Sequence, residues 1–179
     1  MSQSTKSRPV LSEVKIEMIS EECPDTSYLG EYTDEYDTNN ICCHCGEYLG
    51  DAEGENNEHD CPTSNRDYNY FKPNAGGEKP GTETYKKYGL QDFKRMESLN
   101  NGNWYFMGIQ AKAIVKYPIG SGNWRLETFT SGGLWGIESD SDEDYIESIK
   151  AEQLDDLKAH LEQFSINTLN WNEIEVKEN

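Results

Sequence analysis

Between residues 13 and 20, Val14, Ile16 and Met18 alternate with Lys15, Glu17 and polar neighbours, a period of two that predicts a strand. The strongest signal of this kind runs over residues 104–117 (WYFMGIQAKAIVKY) and is closed by Pro118. After the turn IGSGN, residues 124–130 set Trp124, Leu126 and Thr128 against Arg125, Glu127 and Phe129, so the two segments are expected to form an antiparallel hairpin. The period then changes to that of a helix. Over residues 142–164, Ile146, Leu154, Leu157, Leu161 and Phe164 fall on one apolar stripe. A shorter helix is predicted over 90–99, with Leu90, Phe93, Met96 and Glu97 near one face and Asn100-Asn101-Gly102 as its stop. A last strand is expected over 171–176. The resulting fold class is α+β: an antiparallel sheet packed with one long helix, plus a Cys-rich insertion.

The first half carries weaker periodicity. Residues 1–9 read as a polar leader, and residues 1–37 as an N-terminal strand followed by an acidic segment. In that segment Tyr28, Tyr32 and Tyr36 are interleaved with carboxylates, and Pro24-Asp25 and Gly30 argue against a regular element. Residues 38–66 form the Cys/His-rich insertion, 67–87 a basic and aromatic linker, and 88–179 the α+β core. With 34% apolar residues the chain is polar for its length, but 20 Phe, Trp and Tyr can still build a core.

Charge changes the picture more than composition does. Residues 1–60 hold 15 Asp/Glu against 3 Lys/Arg, residues 138–179 hold 13 against 3, and residues 61–137 hold 6 against 10, for a net charge of −18. Such a balance disfavours direct binding to nucleic acid or to an anionic membrane and favours a basic protein partner. It also fits a protein whose acidity serves solubility alone. The basic middle (Arg66, Lys72, Lys79, Lys86, Lys87, Lys94 and Arg95) is expected to neutralise the chain's own acidic arms. No apolar run is long enough for a membrane span, and MSQSTKSRPV lacks the apolar stretch of a signal peptide. A reducing cytoplasm is therefore expected, where clustered cysteines read as metal ligands more naturally than as disulfides.

Cys42-x2-Cys45 and His59-x-Cys61 supply two ligand pairs across a thirteen-residue loop. Thiolate and imidazole suit tetrahedral Zn²⁺, and a four-ligand structural site contributes folding free energy to a segment poor in apolar residues. Cys43 and His44 are alternative ligands, and a set of free thiols is the alternative to any metal. Ser131-Gly132-Gly133-Leu134-Trp135-Gly136 precedes the long helix but is followed by Glu138, Asp140, Asp142, Glu143 and Asp144. Those carboxylates occupy the helix entrance where an anion would bind, so the glycines are expected to allow a bend, with Trp135 and Ile137 anchored in the core. Ser141 and Asp144 stand at capping-box spacing. The carboxylates lack the alternation and glycine of a helix-loop-helix calcium site. His160 lies four residues after Asp156, the spacing of a surface pair. No nucleophile elbow or catalytic triad signature is present, and no enzymatic activity is expected.

Three stretches resemble a family of small acidic proteins of bacteriophages and bacterial mobile elements. They are PDTSYLGEY (24–32), DFKRMESLNNGNWYFMGIQAKA (92–113) and SGGLWGIESDSDEDYI (131–146) with the helix after it. Some proteins of this general look are anti-CRISPR proteins that bind an RNA-guided DNA nuclease. The resemblance implies an inhibitor of a host type II defence nuclease. It supplies no catalytic residues. Residues 38–66 replace a shorter linker of that pattern, so zinc is not implied by it. A carboxylate array can compete for the basic channel that holds a nucleic acid backbone. The residues expected to carry this are Glu138, Asp140, Asp142, Glu143 and Asp144, with Glu31, Asp34, Glu35 and Asp37 as a second patch. The alternative is a zinc-stabilised protein-interaction module with no nuclease target.

Overall fold

The computed structural model of the protein describes residues 8–51, 59, 61, 62, 64–166, 168, 171 and 174–178. It is α+β, with a five-stranded and a three-stranded sheet. The chain divides into two compact units. The first combines residues 1–23 with 105–179, and the second is residues 24–104. The expected boundary between residues 87 and 88 falls inside a helix of the second unit, and the N-terminal strand joins the C-terminal half of the chain.

In the first unit, β1 (Val10–Ser20) pairs antiparallel with the long β5 (Phe106–Gly120). β5 continues through a hairpin into β6 (Asn123–Thr130), as the alternation predicts. β7 (Leu134–Glu138) pairs with the other end of β5, opposite β1, and β8 (Val176–Glu178) adds to β1 in parallel. One face is apolar because Ile109, Ala111, Ala113 and Val115 alternate along β5 and are fully buried. In β1, Leu11 and Val14 are an odd number of residues apart, yet both are buried. The pairing slips between Leu11 and Glu13, so a bulge returns the alternation to the core side. The long helix α2 (Glu143–Gln163) lies against β5 and contributes Ile149, Leu157 and Leu161 to this core.

Three expectations about α2 are corrected. Its N-cap is Asp142, whose carboxylate accepts from the Asp144 N–H at 2.9 Å, in place of a Ser141–Asp144 capping box. Phe164 is exposed and packs on Phe129 and His160. His160 directs Nδ1 to the Thr130 carbonyl at 3.2 Å, which uses the imidazole to bind α2 to the sheet. The buried stripe also includes two polar residues that periodicity overlooks. Gln153 receives the Ser131 hydroxyl at 2.8 Å and the Gly133 N–H at 3.0 Å, while Lys150 is held between Glu147 and Glu178.

The glycine-rich segment before α2 includes a strand as well as a bend. Gly133 and Gly136 have φ of +77° and +76°, as the glycine pattern requires. Ile137 is buried, but Trp135 is half-exposed and lies over Gly108 of β5. A Cβ at residue 108 would stand 2.2 Å from the Trp135 ring. The missing side chain is what lets the indole cover the strand. The expected strand over 171–176 is displaced to Val176–Glu178, and residues 172 and 173 lie outside those described, as do residues 1–7 of the leader.

In the second unit, β2 (Gly30–Thr33), β4 (Tyr70–Pro73) and β3 (Ile41–Cys42) form an antiparallel sheet in the order β2-β4-β3. Two segments expected to be irregular therefore hold strands, β2 and β4. The helix α1 (Glu83–Asn100) starts two turns earlier than its apolar stripe suggests, because the Thr82 hydroxyl accepts the Tyr85 N–H as an N-cap. Tyr85, Phe93 and Met96 of α1 are buried, and Phe93 packs on Phe71 of β4 at 5.5 Å between ring centroids. Three basic residues of this unit form ion pairs: Lys72 with Glu31 and Lys86 with Asp51 of the acidic first sixty residues, and Arg66 with Glu97 within the basic stretch itself.

Candidate metal centre

The centre grows from a tight reversal of the chain after β3. Cys42 donates its N–H to the Glu47 carbonyl at 2.9 Å and accepts the Gly46 N–H at 2.8 Å. Ile41 bridges Tyr48, closing the knuckle behind them. Gly46 has φ of +79°, a conformation that side chains avoid, so Cys45 followed by glycine is a local requirement of this turn. Cys42 and Cys45 are thereby brought to the same side. His59 and Cys61 return to meet them. Cys42 Sγ lies 3.5 Å from Cys61 Sγ, and Cys45 Sγ lies 3.1 Å from His59 Nε2. The four donor atoms all lie within 4.8 Å of one another.

That geometry fits a metal. A tetrahedron with metal–sulfur bonds of about 2.3 Å has sulfur–sulfur edges of about 3.8 Å. A Cys3His cluster of these dimensions can therefore hold one metal ion, and all four expected ligands, Cys42, Cys45, His59 and Cys61, belong to it. Burial pushes the Cys42 thiol up, but the backbone N–H groups of Cys45 and His44 and the Cys61 and Cys45 thiols outweigh it and hold Cys42 below its ordinary range. Donors aimed at sulfur favour the thiolate that a metal needs. His59 keeps Nδ1 free of the other donors, 4.0 Å from a Glu47 carboxylate oxygen. That separation is too long for a hydrogen bond, so the exposed Glu47 carboxylate stands near the ring without fixing its tautomer.

The alternative ligands Cys43 and His44 are used elsewhere. Cys43 follows Cys42 and points to the opposite side, where burial pushes its thiol up to about 12 against the pull of the Arg66 guanidinium. His44 is a staple. Its Nδ1 accepts the Ser64 N–H at 3.0 Å, and its Nε2 lies 3.1 Å from Asn69 Oδ1. Asn69 in turn donates its N–H and its side-chain amide to one oxygen of Asp34. Beyond the knuckle, Arg66 grips Glu97 of α1 with Nη1–Oε1 at 2.7 Å and Nη2–Oε2 at 2.5 Å. Tyr32 donates its hydroxyl to the same carboxylate at 2.7 Å. The Arg66 hydrogen bond, with Tyr32 helping against burial, holds Glu97 below its usual range. Ser64 and Arg66 thus fasten the chain shortly after Cys61. Sequence reading treated Arg66 only as one basic residue among many.

The proposed partner-binding carboxylates fall into two sets that lie in different units. Glu138 ends β7 and is half-buried, Asp140 follows in a turn, Asp142 caps α2, and Glu143 and Asp144 are exposed in its first turn. In the second set, Glu31 pairs with Lys72, Asp34 holds Asn69, and Asp37 accepts the Asn39 N–H at 2.7 Å. Glu35 is exposed. Three members of the second patch are therefore engaged in holding local structure.

Among the described residues, no helix is long and apolar enough to cross a membrane. No protein-family model, curated protein or solved structure matches the chain.

Proposed function

We propose that the protein is a non-enzymatic interaction module whose second unit is organised by a structural Zn²⁺ held by Cys42, Cys45, His59 and Cys61. The observation that supports this reading is the closed Cys3His set. Four protein donors fill a tetrahedral shell and leave no position for a substrate or an activated water, which is the arrangement of structural rather than catalytic zinc. Thiolate-rich donors also favour zinc over the hard cations that prefer oxygen. The test is metal analysis of the purified protein, followed by cobalt replacement. Bound cobalt should show the intense visible bands of a tetrahedral thiolate site. Six-coordinate cobalt spectra, or protein purified without metal that is fully folded, would sink the reading.

The partner proposed here is a basic nucleic-acid-binding protein, in the first instance a host RNA-guided nuclease that the chain inhibits by occupying its nucleic-acid channel. The resemblance set out above supports the nuclease. The exposed carboxylates of Glu143 and Asp144, in the first turn of an ordered helix, support the electrostatic route. Replacing both with lysine leaves the Asp142 cap in place and should weaken binding by about tenfold or more at low salt, with the difference shrinking as salt rises. Binding that ignores both the charge reversal and the salt would rule out mimicry.

A further inference from the structure

The cysteines of the knuckle differ in what they can do. Cys42 and Cys61 place their sulfurs in contact at 3.5 Å, although 19 positions separate them in sequence. Cys45 lies against His59, while Cys43 is turned away, buried, and held as a neutral thiol. Cys23 is exposed and belongs to the other unit. A zinc-bound sulfur is a thiolate at neutral pH, and thiolates rather than thiols react with peroxides. Cys45 is exposed and Cys61 partly so, whereas Cys42 is buried with its sulfur against that of Cys61, so Cys61 is the reachable member of the contacting pair.

We propose that the metal centre is also an oxidation site, at which hydrogen peroxide joins Cys42 to Cys61 and expels the zinc. The inference rests on the zinc reading given above. In the first step the Cys61 thiolate attacks one peroxide oxygen. The O–O bond breaks, Cys61 becomes a sulfenic acid, and the departing hydroxide takes a proton to become water. In the second step the Cys42 thiolate attacks the Cys61 sulfur. The S–S bond forms, and the sulfenic oxygen leaves as hydroxide and is protonated to a second water. Two thiolates and one peroxide, with two protons, give one disulfide and two waters. The sulfurs lose the two electrons that the peroxide gains. Zinc then retains only Cys45 and His59 and dissociates. Because the product is a disulfide, a thiol reductant with added zinc should restore the centre.

The test uses the full chain purified with its zinc. Peroxide is added in the presence of a chromogenic zinc chelator, the remaining thiols are alkylated, and cross-linked peptides are mapped by mass spectrometry. The expected result is release of about one zinc per chain, loss of two of the five cysteines to alkylation, and a peptide joining Cys42 to Cys61. Dithiothreitol with zinc should reverse all three. A Cys23→Ala variant should behave identically, since that thiol takes no part. Zinc retained while Cys61 proceeds to sulfinic acid would overturn the proposal, as would a disulfide through Cys43 or Cys45. Protein that holds metal but resists peroxide overturns this inference alone. Protein that never holds zinc overturns the metal reading and this inference with it.

Discussion

The core of the sheet-and-helix unit is aliphatic: Leu11, Val14, Ile16, Ile109, Val115, Ile149, Leu157 and Leu161 surround two alanines of β5. The second unit also buries Leu29, Ile41 and Leu49, but adds the rings of Phe71, Tyr85, Phe93 and Trp104 beside Cys42, Cys43 and Met96. Aliphatic side chains that alternate on long strands can be brought together by pairing and helix packing alone. The strands of the second unit leave less area per element, since β2, β3 and β4 have only four, two and four residues, and most of its buried rings come from α1 and the segment after it. The proposed four-ligand centre would supply the second unit with cross-links that the first does not need. On the proposed metal reading, the difference teaches that one chain can order its two units by different means, hydrophobic burial in one and ligation in the other.

The largest expected effect follows from removing the metal. Structural zinc sites bind with about 10–16 kcal/mol in small peptides at neutral pH, so loss of the proposed zinc should dominate the stability of this unit. Chelation, or Cys45→Ser, should abolish amide protection in β3 and β4 while leaving the β5 amides protected. Hydrogen exchange followed by mass spectrometry separates the two, and simultaneous loss in both units would break the comparison.

The complementary cut is Leu157→Ala. Leu157 is fully buried beneath the sheet, and its truncation should cost about 2–5 kcal/mol by denaturant titration. Zinc content should stay unchanged. Zinc lost in step with that destabilisation would mean that the metal centre depends on the aliphatic core.

A smaller effect is expected from Glu97→Gln, which breaks the Arg66 clamp behind the metal loop. The loss should be about 1–2 kcal/mol, since the pair is charged and partly shielded from solvent. Its pH dependence has a definite sign. Glu97 is held below its ordinary value of 4.5, so its contribution is present above that value and is lost as pH falls through the depressed folded value. The wild-type advantage over the variant should therefore vanish on acidification. An advantage that grows below pH 4 would contradict the assignment.

The smallest expected change is Asp142→Ala, which removes the α2 N-cap and should cost about 1 kcal/mol. If Asp142→Asn restores most of the loss, the residue acts through its hydrogen bond. If asparagine is as damaging as alanine, the charge itself is what matters at that helix end.

Legibility in the sequence followed how local each determinant is. The β5–β6 hairpin and α2 could be read because their periodicity is written into consecutive residues. The four clustered donors could be read because thiolate and imidazole at that spacing have few other uses. β7 was not legible, since Leu134–Glu138 becomes a strand only by pairing with β5 across more than twenty residues. The burial of Lys150 and Gln153 was likewise hidden. A polar residue on a helix reads as solvent-facing until its partners, here Glu178 and Ser131, are brought to it from distant positions.

By itself, the amino-acid sequence determined the α+β class, the long helix, the donor set of the metal centre and the segregation of charge, because periodicity, ligand chemistry and charge are carried by the residues themselves. Only the tertiary structure decided that the N-terminal strand joins the C-terminal half. It alone separated Cys43 and His44 from the ligands and put Cys42 against Cys61. Those outcomes depend on which strands pair and in what register. Pairing is settled by the free energy of the assembled fold, and no short stretch of sequence contains it.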